Sequence, residues 1–149
     1  KALVKYALFS KLKESNIETL ITDLLEYKII NDNDQVIIIS KERINNEEQL
    51  DMLFSNFYKS NKIFVQVFSI ERIVKNILKH ELVPKMRILN ETEKQQIKSK
   101  YDIANFSQFP LILKLDPMAK MYGVKNGDLC EIVRKSDSAG NYISYRYCQ

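Results

Sequence analysis

Carboxylates next to a lysine are the first places where this chain could do chemistry. Glu26-Tyr27-Lys28 has the Glu-x-Lys spacing that ends a nuclease metal motif, and Asp32 and Asp34 follow closely. Paired carboxylates hold magnesium and steer a water onto a phosphodiester. That chemistry needs the pair fixed on a strand, whereas the residues before Glu26 carry helical spacing. His80 is the single histidine, and neither a Ser nor a Cys motif accompanies it. Cys130 and Cys148 are the two cysteines. With His80 they are too few and too scattered for a structural zinc site, which takes four ligands at tight spacing. Cys130 sits in an apolar run and reads as a small buried hydrophobe. Three glycines cannot build a dinucleotide or P-loop cradle, and no GxSxG elbow occurs. The residues thus point away from an enzyme and name no cofactor or metal. A metal-dependent nuclease remains as the alternative.

The elements that would carry these residues follow from hydrophobic spacing. Residues 2–27 alternate apolar and polar at helical spacing. Leu20, Ile21, Leu24, Leu25 and Tyr27 form a stripe, and Asn16 is placed to cap a helix from Ile17. The Asn31-Asp32-Asn33-Asp34 stretch signals a turn. Residues 36–39, Val-Ile-Ile-Ile, predict a buried strand. A helix beginning at Asn46-Glu47-Glu48 buries Leu50, Leu53, Phe54 and Phe57. A second strand spans 63–68, and strand–helix–strand order favours a parallel pair. Residues 70–79 fit a helix by spacing.

Pro84 marks a boundary and should hold Leu82 and Val83 extended. Asn90 caps a helix over 91–101. Residues 109–113 read as an edge strand beginning at Pro110. Asp116 and Pro117 start a short helix that Gly123 ends as a left-handed cap. Asn126-Gly127 turns the chain into strands at 129–133 and 142–147, joined through 136–141 as a hairpin with Gly140 in the turn. The predicted fold class is an α/β unit over 1–79 followed by a small α+β unit over 80–149. So small a second unit gains stability by docking on a partner.

The chain has 149 residues, 45% apolar and 28% charged, an ordinary globular balance. A net charge of +4 permits contact with nucleic acid without demanding it. No apolar run approaches the roughly 18 residues that cross a bilayer, so no membrane partner is expected. Lys1 rather than Met at the start suggests a piece of a longer chain.

Three ordered motifs carry a resemblance. His80-Glu81-Leu82-Val83-Pro84 resembles the HELVP segment, and 116–128 resembles DPVARYYGLKRGQ. Residues 131–146 resemble KIIRPSETAGRYITYR. All three belong to the shared fifth subunit of eukaryotic nuclear DNA-dependent RNA polymerases and its archaeal counterpart. The resemblance implies a non-catalytic polymerase subunit whose C-terminal domain assembles on the largest subunit. His80, Glu81, Pro84, Tyr142, Tyr145 and Arg146 would then lie at that interface. Asp116, Pro117, Gly123, Gly127, Ala139 and Gly140 would specify the fold. It also implies an N-terminal jaw domain beside downstream DNA, present in eukaryotic members and absent from archaeal ones, with Lys41 and Arg43 DNA-proximal. It favours a strand over 73–77, against the helical spacing there. The family's TPSA segment is replaced here by Arg43-Ile44-Asn45-Asn46-Glu47. Lys135, Asn126 and Asn141 also depart from the pattern, which suggests a viral or fast-evolving member. Location would be the nucleus if cellular, or virion and host cytoplasm if viral. A free transcription adaptor is a further alternative.

Overall fold

The computed structural model describes residues 2–7, 14–31, 34–41, 44, 47–136 and 140–149. The chain divides into two compact units, Lys1–Asn76 and Ile77–Gln149.

The first unit has three strands, β1 (Ala2–Ala7), β2 (Gln35–Ser40) and β3 (Phe64–Ser69), in the order β1-β2-β3. Both pairings are parallel, with Leu3 beside Val36 and Val36 beside Val65. Helix α1 (Glu14–Glu26) joins the first pair and α2 (Glu47–Asn61) the second. Two crossovers running the same way along a sheet place both helices on one face. Ile17, Ile21 and Leu24 of α1 and Leu50 and Phe54 of α2 accordingly share one core with Val36, Ile38, Val65 and Val67. On the opposite face Val4 and Tyr6 are exposed.

Several expectations are corrected. Residues 2–7 are a strand rather than the start of a helix. Short apolar runs do not separate the two periods, and the neighbouring strand β2 supplies their hydrogen bonds. α1 begins at Glu14, so Asn16 lies inside its first turn and does not cap it. Tyr27 lies past the helix end and is 76% exposed, outside the stripe. The 70–79 stretch is neither one helix nor a strand. Helix α3 covers only Ile70–Val74, Lys75 turns extended, and a 3-10 turn follows at Ile77–Lys79. Asn46 as a helix start, Asp32 and Asn33 lie outside the described residues.

The second unit holds a mixed sheet in the order β4-β6-β7-β5. β4 (Lys85–Ile88), β6 (Leu129–Ser136) and β7 (Gly140–Cys148) pair antiparallel, and β5 (Leu111–Ile112) joins β7 in parallel. β4 has no forerunner in the sequence reading. Leu82 is not extended: it lies in a turn closed by the Val83 N–H, which donates to the His80 carbonyl at 3.0 Å. Helix α4 (Glu91–Lys100) carries a full capping box at Asn90, and α5 (Pro117–Tyr122) follows β5. One face of the sheet packs Met86, Ile112, Ala119, Val124, Cys130, Ile132 and Cys148. The other packs Leu89, Phe109 and Leu129 beneath Ile97, Ile103, Phe106, Tyr145 and Tyr147.

Among the described residues no helix is long and apolar enough to cross a membrane.

Ile38 is fully buried at the centre of the first core. Ile38→Ala should destabilise that unit by about 2–5 kcal/mol through lost transfer energy and the cavity left behind. Hydrogen exchange of β2 and β3 amides in the full chain measures this, and unchanged exchange would contradict the packing.

Candidate docking face of the C-terminal unit

Helix α5 and the hairpin after it are built from local hydrogen bonds. The Asp116 carboxylate Oδ1 accepts from the Met118 N–H at 2.8 Å and from the Ala119 N–H at 3.4 Å. Pro117 occupies the first turn, where no N–H is needed. Gly123 closes the helix in the left-handed region, φ 66° and ψ 34°. That geometry lets the Val124 N–H reach the Ala119 carbonyl at 2.9 Å and drives the Val124 side chain into the core.

The chain then turns at once. Asp128 Oδ2 accepts from the Lys125 N–H at 2.8 Å. The Gly127 N–H donates to the Cys148 carbonyl at 2.9 Å, and the Cys148 N–H donates to the Asp128 carbonyl at 2.8 Å. Two residues of one strand thus oppose one of the other, a bulge whose first residue, Gly127 at φ +92°, favours glycine. The Lys94 ammonium of α4 reaches the Gly127 carbonyl at 3.3 Å and Asp128 Oδ1 at 3.5 Å, tying the helix to the hairpin base. At the far end Ser136 pairs with Gly140, whose φ is +70°. Ala139 lies outside the described residues.

A charged network crosses the other face. Arg87 of β4 donates through Nε to Glu131 Oε1 at 2.7 Å and through Nη2 to Glu131 Oε2 at 3.3 Å. Its Nη1 donates to Glu93 Oε1 at 2.7 Å. Glu93 Oε2 accepts from the Asn90 N–H at 2.9 Å, so Arg87 also braces the α4 cap. The hydrogen bond from Arg87 is the main cause holding the Glu93 carboxyl below its usual range, with Asn90 second. The Tyr145 hydroxyl donates to Glu131 Oε2 at 3.3 Å. Burial, and then the Glu131 charge, push the Tyr145 phenol up. Sequence reading missed this network; the signal was Glu131, an acid in the middle of the otherwise apolar run 129–133.

The expected interface residues fare differently. Tyr142 is 56% exposed. Tyr145 is committed within the unit, its ring edge-on to Phe109 at 6.3 Å and to Tyr101 at 5.8 Å. Arg146 is half-buried, and its Nη1 donates to the Leu111 carbonyl at 3.0 Å, clipping β5 to β7. His80 and Glu81 are exposed, and His80 Nδ1 accepts from the Leu82 N–H at 3.3 Å. Pro84 is half-buried. In the first unit Lys41 is exposed directly after β2, while Arg43 lies outside the described residues.

Of the acids flagged for metal chemistry, Glu26 and Asp34 lie among the described residues. Glu26 is the exposed last residue of α1. Asp34 is buried, and its Oδ2 accepts from the Asn31 N–H at 3.0 Å, closing a turn. Among the described residues no three His, Cys, Asp or Glu side chains gather as a metal site. Cys130 and Cys148 are fully buried thiols, not joined as a disulfide. Burial, then the neighbouring Cys148, raise the Cys130 thiol to about 12.

Two outcomes follow from this geometry. Asp116→Ala should cost about 1 kcal/mol through loss of the cap, while Asp116→Asn should cost less; urea unfolding of the full chain would show it. The Cys130 thiol binds its proton more tightly folded than unfolded. The stability this gives is complete below the ordinary thiol value of 9.0 and is lost as pH rises from there to about 12. Cys130→Ala should therefore flatten the alkaline fall in the urea midpoint. An identical slope in both proteins would show that this thiol is not held protonated.

Comparison with known proteins covers the same unit. Residues 75–148 match the family described as RNA polymerase Rpb5, C-terminal domain. The chain is 38% identical over 94 residues to the Dictyostelium discoideum protein named DNA-directed RNA polymerases I, II, and III subunit rpabc1. That match takes in 63% of this chain and 47% of the relative. It is 44% identical over 75 residues to DNA-directed RNA polymerase subunit Rpo5 of Methanothermobacter thermautotrophicus, covering 50% of this chain and 96% of that one. Rpo5 of Pyrococcus abyssi is 51% identical over 71 residues, 48% of this chain and 85% of the relative. The matched stretch thus spans less than half of the Dictyostelium relative and nearly all of the Methanothermobacter one. Helix cap, bulge and hairpin all fall inside the matched residues, and the chain belongs to the RNA polymerase Rpb5 family.

Proposed function

We propose that this chain is a non-catalytic subunit of a multisubunit DNA-dependent RNA polymerase. Its C-terminal unit seats it on the largest subunit, and its N-terminal unit supports the downstream-DNA jaw. One observation carries the reading: the family match over residues 75–148 coincides with a unit whose conspicuous polar groups are spent on caps, a bulge and a brace. Polar groups engaged in this way fix a shape, which is what a unit that seats one subunit on another requires.

His80, Glu81, Pro84, Tyr142, Tyr145 and Arg146 are assigned to the subunit interface. Tyr142 offers an exposed aromatic side chain, the kind that anchors protein interfaces. Arg146 and Tyr145 act mainly by holding β7 in place for that contact. The jaw assignment is supported by the parallel sheet of the first unit. Lys41 sits just past the carboxyl end of β2, the edge at which open parallel sheets receive ligands. It supplies positive charge for phosphate there, and Arg43, outside the described residues, is assigned to the same contact from the sequence alone. Any DNA contact is weak and made within the complex. Location follows the enzyme, the nucleus for a cellular protein; the departures at Asn126, Lys135 and Asn141 are the ground for a viral alternative, in virion and host cytoplasm.

The nuclease reading loses its footing because Glu26 ends a helix with an exposed side chain. A free transcription adaptor would be recovered without the large polymerase subunits.

Arg146→Glu in the tagged full-length chain tests the assignment. Recovery of the largest subunit should fall about tenfold, equivalent to roughly 1.4 kcal/mol of lost interface energy, with far-ultraviolet dichroism retained. Undiminished recovery would refute the role given to this face.

A further inference from the structure

The outer edge of β7 is open over most of its length. Cys148 donates its N–H inward to Asp128 on the β6 side, and Tyr147 donates outward to the Pro110 carbonyl at 2.9 Å. Alternation along a strand then points the peptide groups of Asn141, Ile143 and Tyr145 outward, and those of Tyr142, Ser144 and Arg146 toward β6. β5 covers only Tyr147 and Cys148. It can extend no further upstream, because the next ladder bond would need a donor at Pro110, which has no N–H. Among the described residues no hydrogen bond reaches the backbone of Asn141 or Ile143 from outside the hairpin.

Edge strands of this length are normally blunted by charge, proline or a bulge on the strand itself. This one presents Tyr142, 56% exposed, and Ile143, 47% exposed, on its two faces. The adjoining strands are basic: Arg134 and Lys135 of β6 lie opposite Tyr142 and Asn141, and Lys85 of β4 lies opposite Val133. All three are exposed. The nearby acid Glu131 is already held by Arg87.

We propose that Asn141–Tyr145 is a strand-addition site, taken in the assembled polymerase by an extended segment of a partner subunit that carries an apolar and an acidic side chain on each of its two faces. Its backbone completes the ladder at Asn141, Ile143 and Tyr145. Its apolar side chains cover Tyr142 and Ile143, and its carboxylates meet Arg134 and Lys135. This deepens the assembly reading and rests on it.

Residue-resolved hydrogen exchange, on the free full-length chain and on the chain within the purified polymerase, tests the proposal. The Asn141, Ile143 and Tyr145 amides should exchange at least about tenfold more slowly in the enzyme. Those of Tyr142 and Ser144, already bonded to β6, should be protected in both. A second test uses Ile143→Pro, which removes an outward N–H and leaves the inward ladder whole. It should lower recovery of the largest subunit about tenfold while far-ultraviolet dichroism is kept; Ser144→Pro, which breaks an inward bond, should lose the hairpin itself. Unchanged exchange at the three amides in the enzyme overturns the proposal, even where the variant misfolds. Concentration-dependent protection in the free chain would assign the edge to a second copy and overturn it equally. Failure of the wild-type chain to co-purify with the large subunits would sink the assembly reading and this one with it. Co-purification with unprotected edge amides would sink this one alone.

Discussion

The pairing of β6 with β7 is the interaction on which the C-terminal unit depends. Its register is set at the base, where Gly127 and Asp128 both bond to Cys148. A slip of one residue would exchange the buried Cys130 and Ile132 for Glu131 and Val133, so the bulge fixes which side chains enter which of the two cores. Everything else attaches to this hairpin. β4 joins one side, and β5 the end of the other. α5 delivers the chain into the bulge, and Lys94 of α4 grips its carbonyl. Arg87 then braces β4, β6 and the α4 cap at one point.

The N-terminal unit is held differently. Its sheet is all parallel, and its cohesion comes from burying isoleucine, valine and leucine between one sheet face and two helices. Among the described residues the Gln35 amide donates to the Gln66 side-chain oxygen at 3.3 Å, joining β2 to β3. A unit specified by apolar volume tolerates substitution wherever volume is kept. A unit specified by caps, a bulge and a left-handed glycine does not.

The same contrast governs what could be read beforehand. Asp116, Pro117, Gly123 and Gly127 announced their elements because each meets a backbone demand that few residues satisfy. The apolar runs at 36–39 and 63–68 announced buried strands by β-branching. β1 was hidden because its strand identity comes from pairing with β2, some thirty residues away in sequence. β4 was hidden because four residues following a proline carry too little pattern. α3 stops early although Ile77 and Leu78 continue the spacing, and helical periodicity does not report where a chain must leave one unit for the next. For the proposed docking face, the family resemblance picked out Tyr142, Tyr145 and Arg146 alike. Coordinates alone separate an exposed ring from one packed on Phe109 and an arginine already bonded to Leu111.

An electron cryo-microscopy reconstruction of the polymerase, purified from its source through a tag on the full-length chain, would measure the central claim most directly. Residues 77–149 should appear as ordered density with the hairpin face against the largest subunit. A complete enzyme containing both large subunits but lacking this unit, or holding it through the N-terminal half alone, would contradict the account.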